Sequence, residues 1–209
     1  MTYPTIERKG RKDRKDHTAP SACTAGQHVF AAFAAFAFLV ISRPALAQSA
    51  AGGVFVPPPH VRPDAALRDM VDEATRRSPA IRALRAQLEA SDVTVYIRTR
   101  VFTQADLDGH VALLAVNGAY RYLVIELSCA RSTLSQMATL GHELFHAVEI
   151  ALEPSVVDNR TLAALYTRIG RQTGDTVGRQ TFETDAAANA GVQARRELRM
   201  NTTRSGHGS

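Results

Sequence analysis

From residue 64 onward the hydrophobic positions change period several times. Leu67, Met70, Val71 and Ala74 recur at helical spacing, with Asp64 placed to cap that helix. Ser78-Pro79 ends it and opens a second helix, the serine as N-cap and the proline at the first helical position, with Ile81, Leu84, Ala86 and Leu88 facing inward. Val93, Val95 and Ile97 then alternate with Thr94, Tyr96 and Arg98, the period of a half-buried strand. After a polar connection over 103–108, two apolar runs, 110–116 and 120–127, flank Asn117-Gly118, a pair that tolerates the positive φ angles of a tight hairpin turn. Thr133 with Gln136 three residues later predicts a capping box that opens a long helix, which Pro154 ends. A further helix spans 159–169 with Leu162, Leu165, Tyr166 and Ile169 on one side. The stretch GRQTGDTVGRQ reads as a Gly-rich loop, and a last helix runs over about 181–198. No internal repeat is present. This order predicts an α+β domain: a small antiparallel sheet that contains the hairpin, packed on the long helix and its companions.

The N-terminal third follows different rules. A basic block, RKGRKDRKDH, precedes an apolar run from Val29 to Ile41, and Pro44 then leads into Ala45-Leu46-Ala47. A positive region, a short apolar run and an A-x-A site together describe a secretory signal peptide over residues 1–47, cut after Ala47. The apolar run is shorter than the roughly 20 residues that cross a bilayer, so no stable membrane insertion is expected once it is cut. Residues 48–63 (QSAAGGVFVPPPHVRP) read as a Pro/Ala/Gly-rich linker, 64–199 as the folded domain and 200–209 as a polar, disordered tail.

Charge changes meaning once the leader is set aside. Taking the seven Lys/Arg and three Asp/Glu of residues 1–47 from the chain's 25 and 20 leaves 18 and 17, close to neutral. No basic patch interleaved with aromatics remains, which excludes nucleic acid as a partner. Cys23 lies in the leader and Cys129 stands alone after it, so no intramolecular disulfide survives processing, and nothing around ELSCARS marks Cys129 as a nucleophile.

The chemistry concentrates at His142-Glu143-Leu144-Phe145-His146 on the long helix. Two histidines four residues apart share one helix face, so both imidazoles can bind one ion while the intervening glutamate stands beside it. Zinc favours such nitrogen donors, and three protein ligands leave the open position that catalysis needs. A zinc-activated water with Glu143 as general base is the expected hydrolytic machinery. At this chain's His and Glu frequencies a chance match has a probability on the order of one in a hundred. Helical projection puts Met137, Leu140, Leu144, Val148 and Ala151 on a core face and gathers His142, His146 and Glu149 on another. The third ligand is open, with Glu149 and Asp158 among the candidates. Glu149 shares the helix with both histidines and reaches a tetrahedral position poorly, which suits it better to a supporting role. Tyr166 is a core residue or a donor to an oxyanion, and His60 and His110 read as ordinary surface or loop histidines.

The stretch TLGHELFHAV resembles the active-site helix of the zincin metallopeptidases. The resemblance implies His142 and His146 as zinc ligands, Glu143 as base, and a substrate-lining strand at residues 120–127. Glu149 and Leu152 stand where the metzincin branch has Gly and His, which excludes that branch. The gluzincin branch takes a Glu from a following helix, which implies Glu183 in FETDAAANAG, with Ala186, Ala187 and Ala190 letting that helix approach closely; Ala187 stands where that branch often has an orienting Asp. The expectation is therefore an exported, periplasmic or extracellular zinc metallopeptidase acting on a peptide or protein. The alternatives are an exported zinc-binding domain whose metal is structural or bridges a partner, and a metal-free domain with a chance motif.

Overall fold

The computed structural model describes residues 5–9, 58–103, 107–176 and 179–204. In chain order the elements are β1 (Thr5–Lys9), β2 (Val61–Pro63), a 3-10 turn (Ala65–Leu67), α1 (Arg68–Arg77), α2 (Pro79–Glu89), β3 (Val93–Arg100), β4 (Leu107–Asn117), β5 (Tyr120–Ser128), α3 (Thr133–Ala151), α4 (Asn159–Ile169), β6 (Arg171–Thr176), β7 (Arg179–Glu183) and α5 (Asp185–Arg204). The fold is α+β. Its seven-stranded sheet has the order β2-β3-β5-β4-β1-β7-β6. Among the described residues no helix is long and apolar enough to cross a membrane.

The sheet is mixed where an antiparallel one was expected. β3 runs parallel to both β2 and β5, and β1 runs parallel to β7. The hairpin is present: β4 and β5 pair antiparallel, Asn117 faces Tyr120, and Gly118 takes the turn at φ 59°. It does not simply follow β3 across the sheet, because β5 inserts between β3 and β4. Both edges of β5 are therefore paired, so residues 120–127 have no free edge along which a substrate could lie.

Several expected boundaries move. Val61–Pro63, assigned to the linker, is a strand that pairs with Val95–Ile97, and the linker's residues 48–57 lie outside the described residues. Asp64 makes no side-chain cap, since the 3-10 turn intervenes. Ser78 caps α2 as expected, its oxygen accepting from the Ile81 N–H at 3.1 Å. Ser132, one residue before the expected Thr133, caps α3, and Gln136 donates to the Ser128 carbonyl instead of closing a capping box. The Gly-rich stretch is a β-hairpin, β6–β7. α5 begins after Glu183 and continues to Arg204, into the expected tail. Thr5–Lys9, inside the expected leader, is a strand in the middle of the sheet, while leader residues 10–47 lie outside the described residues.

α3 organises the core. It packs on β3, β4 and β5 on one side and on α2 and α5 on the other, so both its apolar and its polar positions are enclosed: Met137, Leu140, Leu144 and Val148 are buried, and so are His142, Glu143 and His146. Two devices set its position. Gly141 lets α5 come close, since a Cβ there would lie 2.7 Å from the Ala194 Cβ and 3.3 Å from Ile81 Cγ1. Arg121, buried on β5, donates to the Ile150, Ala151 and Glu153 carbonyls at the helix C-terminus at 2.7, 3.0 and 2.8 Å. A bidentate pair with Asp92 at 2.7 Å balances its charge and holds the Asp92 carboxyl below its ordinary range.

His110, expected at the surface, is buried opposite Glu126, its Nε2 3.0 Å from Glu126 Oε2. Arg98 Nε and Arg100 donate to the same carboxylate at 2.7 and 2.6 Å. Burial alone would raise the Glu126 carboxyl; the bonds from His110, Arg100 and Arg98 outweigh it and bring the pKa from 4.5 down to about 2.

Two outcomes follow from this packing. Gly141→Ala gains helix propensity but forces two backbone-bound methyl groups together, so its denaturation midpoint falls, by about 1–3 kcal/mol in stability, and Ala194→Gly added to it restores most of the loss; a Gly141→Ala chain at least as stable as the wild type contradicts the close approach. Because the folded Glu126 carboxyl is depressed, its contribution is present above pH 4.5 and lost as pH falls towards 2. Urea titrations should show the wild type losing at most roughly 3 kcal/mol over that window and Glu126→Gln losing clearly less.

Candidate metal centre

One helical turn separates His142 from His146, so α3 presents both rings on one face, their centroids 4.8 Å apart. The third member arrives from 37 residues further on in the sequence. Glu183 is the last residue of β7, not a residue of α5, and the strand delivers its carboxylate between the two imidazoles. His142 Nε2 lies 3.5 Å from Glu183 Oε2, and His146 Nε2 lies 3.5 Å from Glu183 Oε1. Candidate ligand atoms of the three residues all fall within 4.8 Å of one another, and all three residues are buried.

These separations distinguish two uses of the same atoms. A hydrogen bond from imidazole to carboxylate closes to 2.7–3.2 Å. Two ligands each about 2.1 Å from a tetrahedral zinc stand about 3.4 Å apart. At 3.5 Å the pairs match the edges of a coordination tetrahedron better than hydrogen bonds, and the donor set of two imidazole nitrogens and one carboxylate is one that zinc accepts with a position left open. The residues fit a divalent ion.

Charge points the same way. Burial on its own would lower the pKa of His146; the hydrogen bond to Glu149 and the neighbouring carboxylates of Glu183 and Glu143 outweigh it and raise the value to about 9.

Glu149 lies outside the converging group. Its Oε2 is 2.7 Å from His146 Nδ1, so the ring's other nitrogen, Nε2, is the one left facing Glu183. Thr184 donates to Glu149 Oε1 at 2.7 Å while its oxygen also accepts from the Ala187 N–H, which ties the start of α5 to the same carboxylate. Tyr166 packs edge-on to the His146 ring, and its hydroxyl lies 3.2 Å from both Glu149 Oε2 and the His146 carbonyl. Burial first, then Glu149, pushes the phenol well above its ordinary range and keeps it a donor. That engagement places Tyr166 behind the histidine rather than at an oxyanion. Asp158 is elsewhere, capping α4 through the Thr161 N–H at 2.8 Å. His60 sits near β2, its Nδ1 3.0 Å from the Val93 carbonyl, and Cys129 is half-buried just past β5.

Two residues of the site carried no signal in the motif. Gly109 on β4 borders the base: a Cβ there would lie 2.7 Å from Thr139 Cγ2 and 3.2 Å from Glu143 Oε1. Thr184 is visible in the sequence only as the residue after Glu183, because its bond to Glu149 joins elements that only folding brings together.

If Glu149 orients His146, Glu149→Gln should weaken metal affinity about tenfold or more in a competition titration, with little change in the circular dichroism of the folded chain; unchanged affinity would contradict that role. Compared with known proteins, the chain matches no family model, no curated protein and no solved structure.

Proposed function

We propose that this chain is an exported zinc-dependent hydrolase that cleaves peptide bonds, with His142, His146 and Glu183 as metal ligands and Glu143 as general base. The observation that carries the reading is the meeting of two α3 imidazoles and a β7 carboxylate at tetrahedral-edge spacing, beside a buried carboxylate one residue after the first histidine. A structural zinc site fills its four positions with protein ligands, often cysteine. Here three donors converge, and Glu143 lies next to them on β4's side of the helix, bordered by Gly109.

When bound, the ion would supply Lewis acidity, polarising a substrate carbonyl and making a nearby water more acidic. The chain's own residues do the rest. Glu143 accepts the proton of the attacking water and can return it to the leaving amine, the usual double duty of a buried general base. Glu149 and Tyr166 hold the His146 ring in place, and the enclosure of α3 excludes bulk water, so the charges act in a low dielectric. The resemblance of TLGHELFHAV to zincin helices supports peptide as the substrate class, and the leader-like segment before Ala47 supports action outside the cytoplasm.

Elemental analysis beside a peptide-library assay tests this. The wild type should hold one zinc per chain and cleave; His146→Ala should lose the zinc; Glu143→Gln should keep it and lose at least a hundredfold in rate. Cleavage retained in Glu143→Gln removes the assigned base, and zinc held without any cleavage by the wild type leaves a non-catalytic zinc protein.

A further inference from the structure

The strand β1 lies in an unexpected place for a leader. It pairs antiparallel with β4, with Ile6 opposite Val111, Glu7 opposite His110 and Arg8 opposite Gly109, and it pairs parallel with β7, with Thr5 opposite Thr181 and Ile6 opposite Phe182. Gly109 is the residue whose missing Cβ leaves room for Glu143, and the residue after Phe182 is Glu183. The backbone of residues 6–8 therefore runs between the strand that borders the base and the strand that delivers the third ligand.

Without β1 the sheet would open there. β4 and β7 would stand one strand's width apart, about 10 Å, each with an unpaired row of backbone donors and acceptors facing the gap. Such a slot accepts an extended chain, and the chain it holds passes alongside the metal centre.

We propose that Thr5–Lys9 is a self-inhibitory strand that fills the slot between β4 and β7, and that removing the leader opens it to extended peptides. The proposal rests on the metal-hydrolase reading of the same site. The occupant is held chiefly by connection: five residues make a short ladder, which survives because the tether keeps their effective concentration high. A cut after Ala47 removes the tether and the strand together, so export and activation become one event.

A protease-recognition sequence inserted after Ala47 lets the segment be cut from the already folded full chain, and Ile6→Pro with Arg8→Pro in the intact chain removes ladder donors without a cut. Each form is loaded with zinc and assayed for zinc content, for binding of a labelled synthetic peptide of residues 1–12, and for peptide cleavage. The proposal expects the cut chain and the proline variant to bind the peptide saturably while the intact chain does not. Cleavage should rise at least tenfold and be suppressed again by the 1–12 peptide but not by a scrambled one. Equal cleavage and no saturable binding in cut, proline-substituted and intact chains would overturn it. If no form holds zinc, the metal reading fails while peptide binding still decides the strand; if the proline variant fails to fold, the cut chain decides alone.

Discussion

The arrangement depends on carboxylates buried against two imidazole rings on one helix. Glu143 and Glu183 are almost wholly removed from water and Glu149 nearly so, all around the His142 and His146 rings. An ionised carboxylate in that position is costly unless a proton, an arginine or a metal compensates it. At Glu126, Arg98 and Arg100 do that work. Around α3 the carboxylates of Glu149, Glu183 and Glu143 face the histidine rings and, against the effect of burial, raise the His146 pKa to about 9.

Fixing such a group of side chains requires a rigid frame, and α3 supplies it. A helix with both faces enclosed cannot rotate to relieve strain, so its side chains are set by what surrounds them. Small residues at Gly141 and Ala194 permit close contact with α5, Gly109 permits close contact with β4, and Arg121 secures the C-terminal carbonyls. Glu149 extends the same logic to one ring: with Thr184 and Tyr166 it links α3, α4 and the start of α5 through a single carboxylate. The chain thereby supports His146 from its own helix.

The mixed sheet sets which strands flank the site. β5, the strand that sequence reasoning offered to a substrate, is paired on both sides. The edge nearest the base belongs to β4, and its partner there is contributed by the chain's N-terminal segment. The place between β4 and β7 is therefore filled by five residues from a part of the sequence whose composition reads as a leader.

Local patterns were legible wherever one segment carries its own information. The two N-terminal helices, the alternation of β3, the Asn-Gly hairpin and the HExxH spacing each depend on residues within a few positions, so periodicity and turn chemistry were sufficient. Glu183 became a candidate only through the family resemblance, and its element was misjudged, because FET reads as a helix start until pairing with Arg171 draws it into a strand. Tertiary structure alone decided that β5 lies between β3 and β4, that His110 is buried against Glu126, that Glu149 grips His146 jointly with Thr184 and Tyr166, and that Thr5–Lys9 completes the sheet. Each of these depends on which distant edges and faces meet, and a chain's local preferences do not encode distance across the fold.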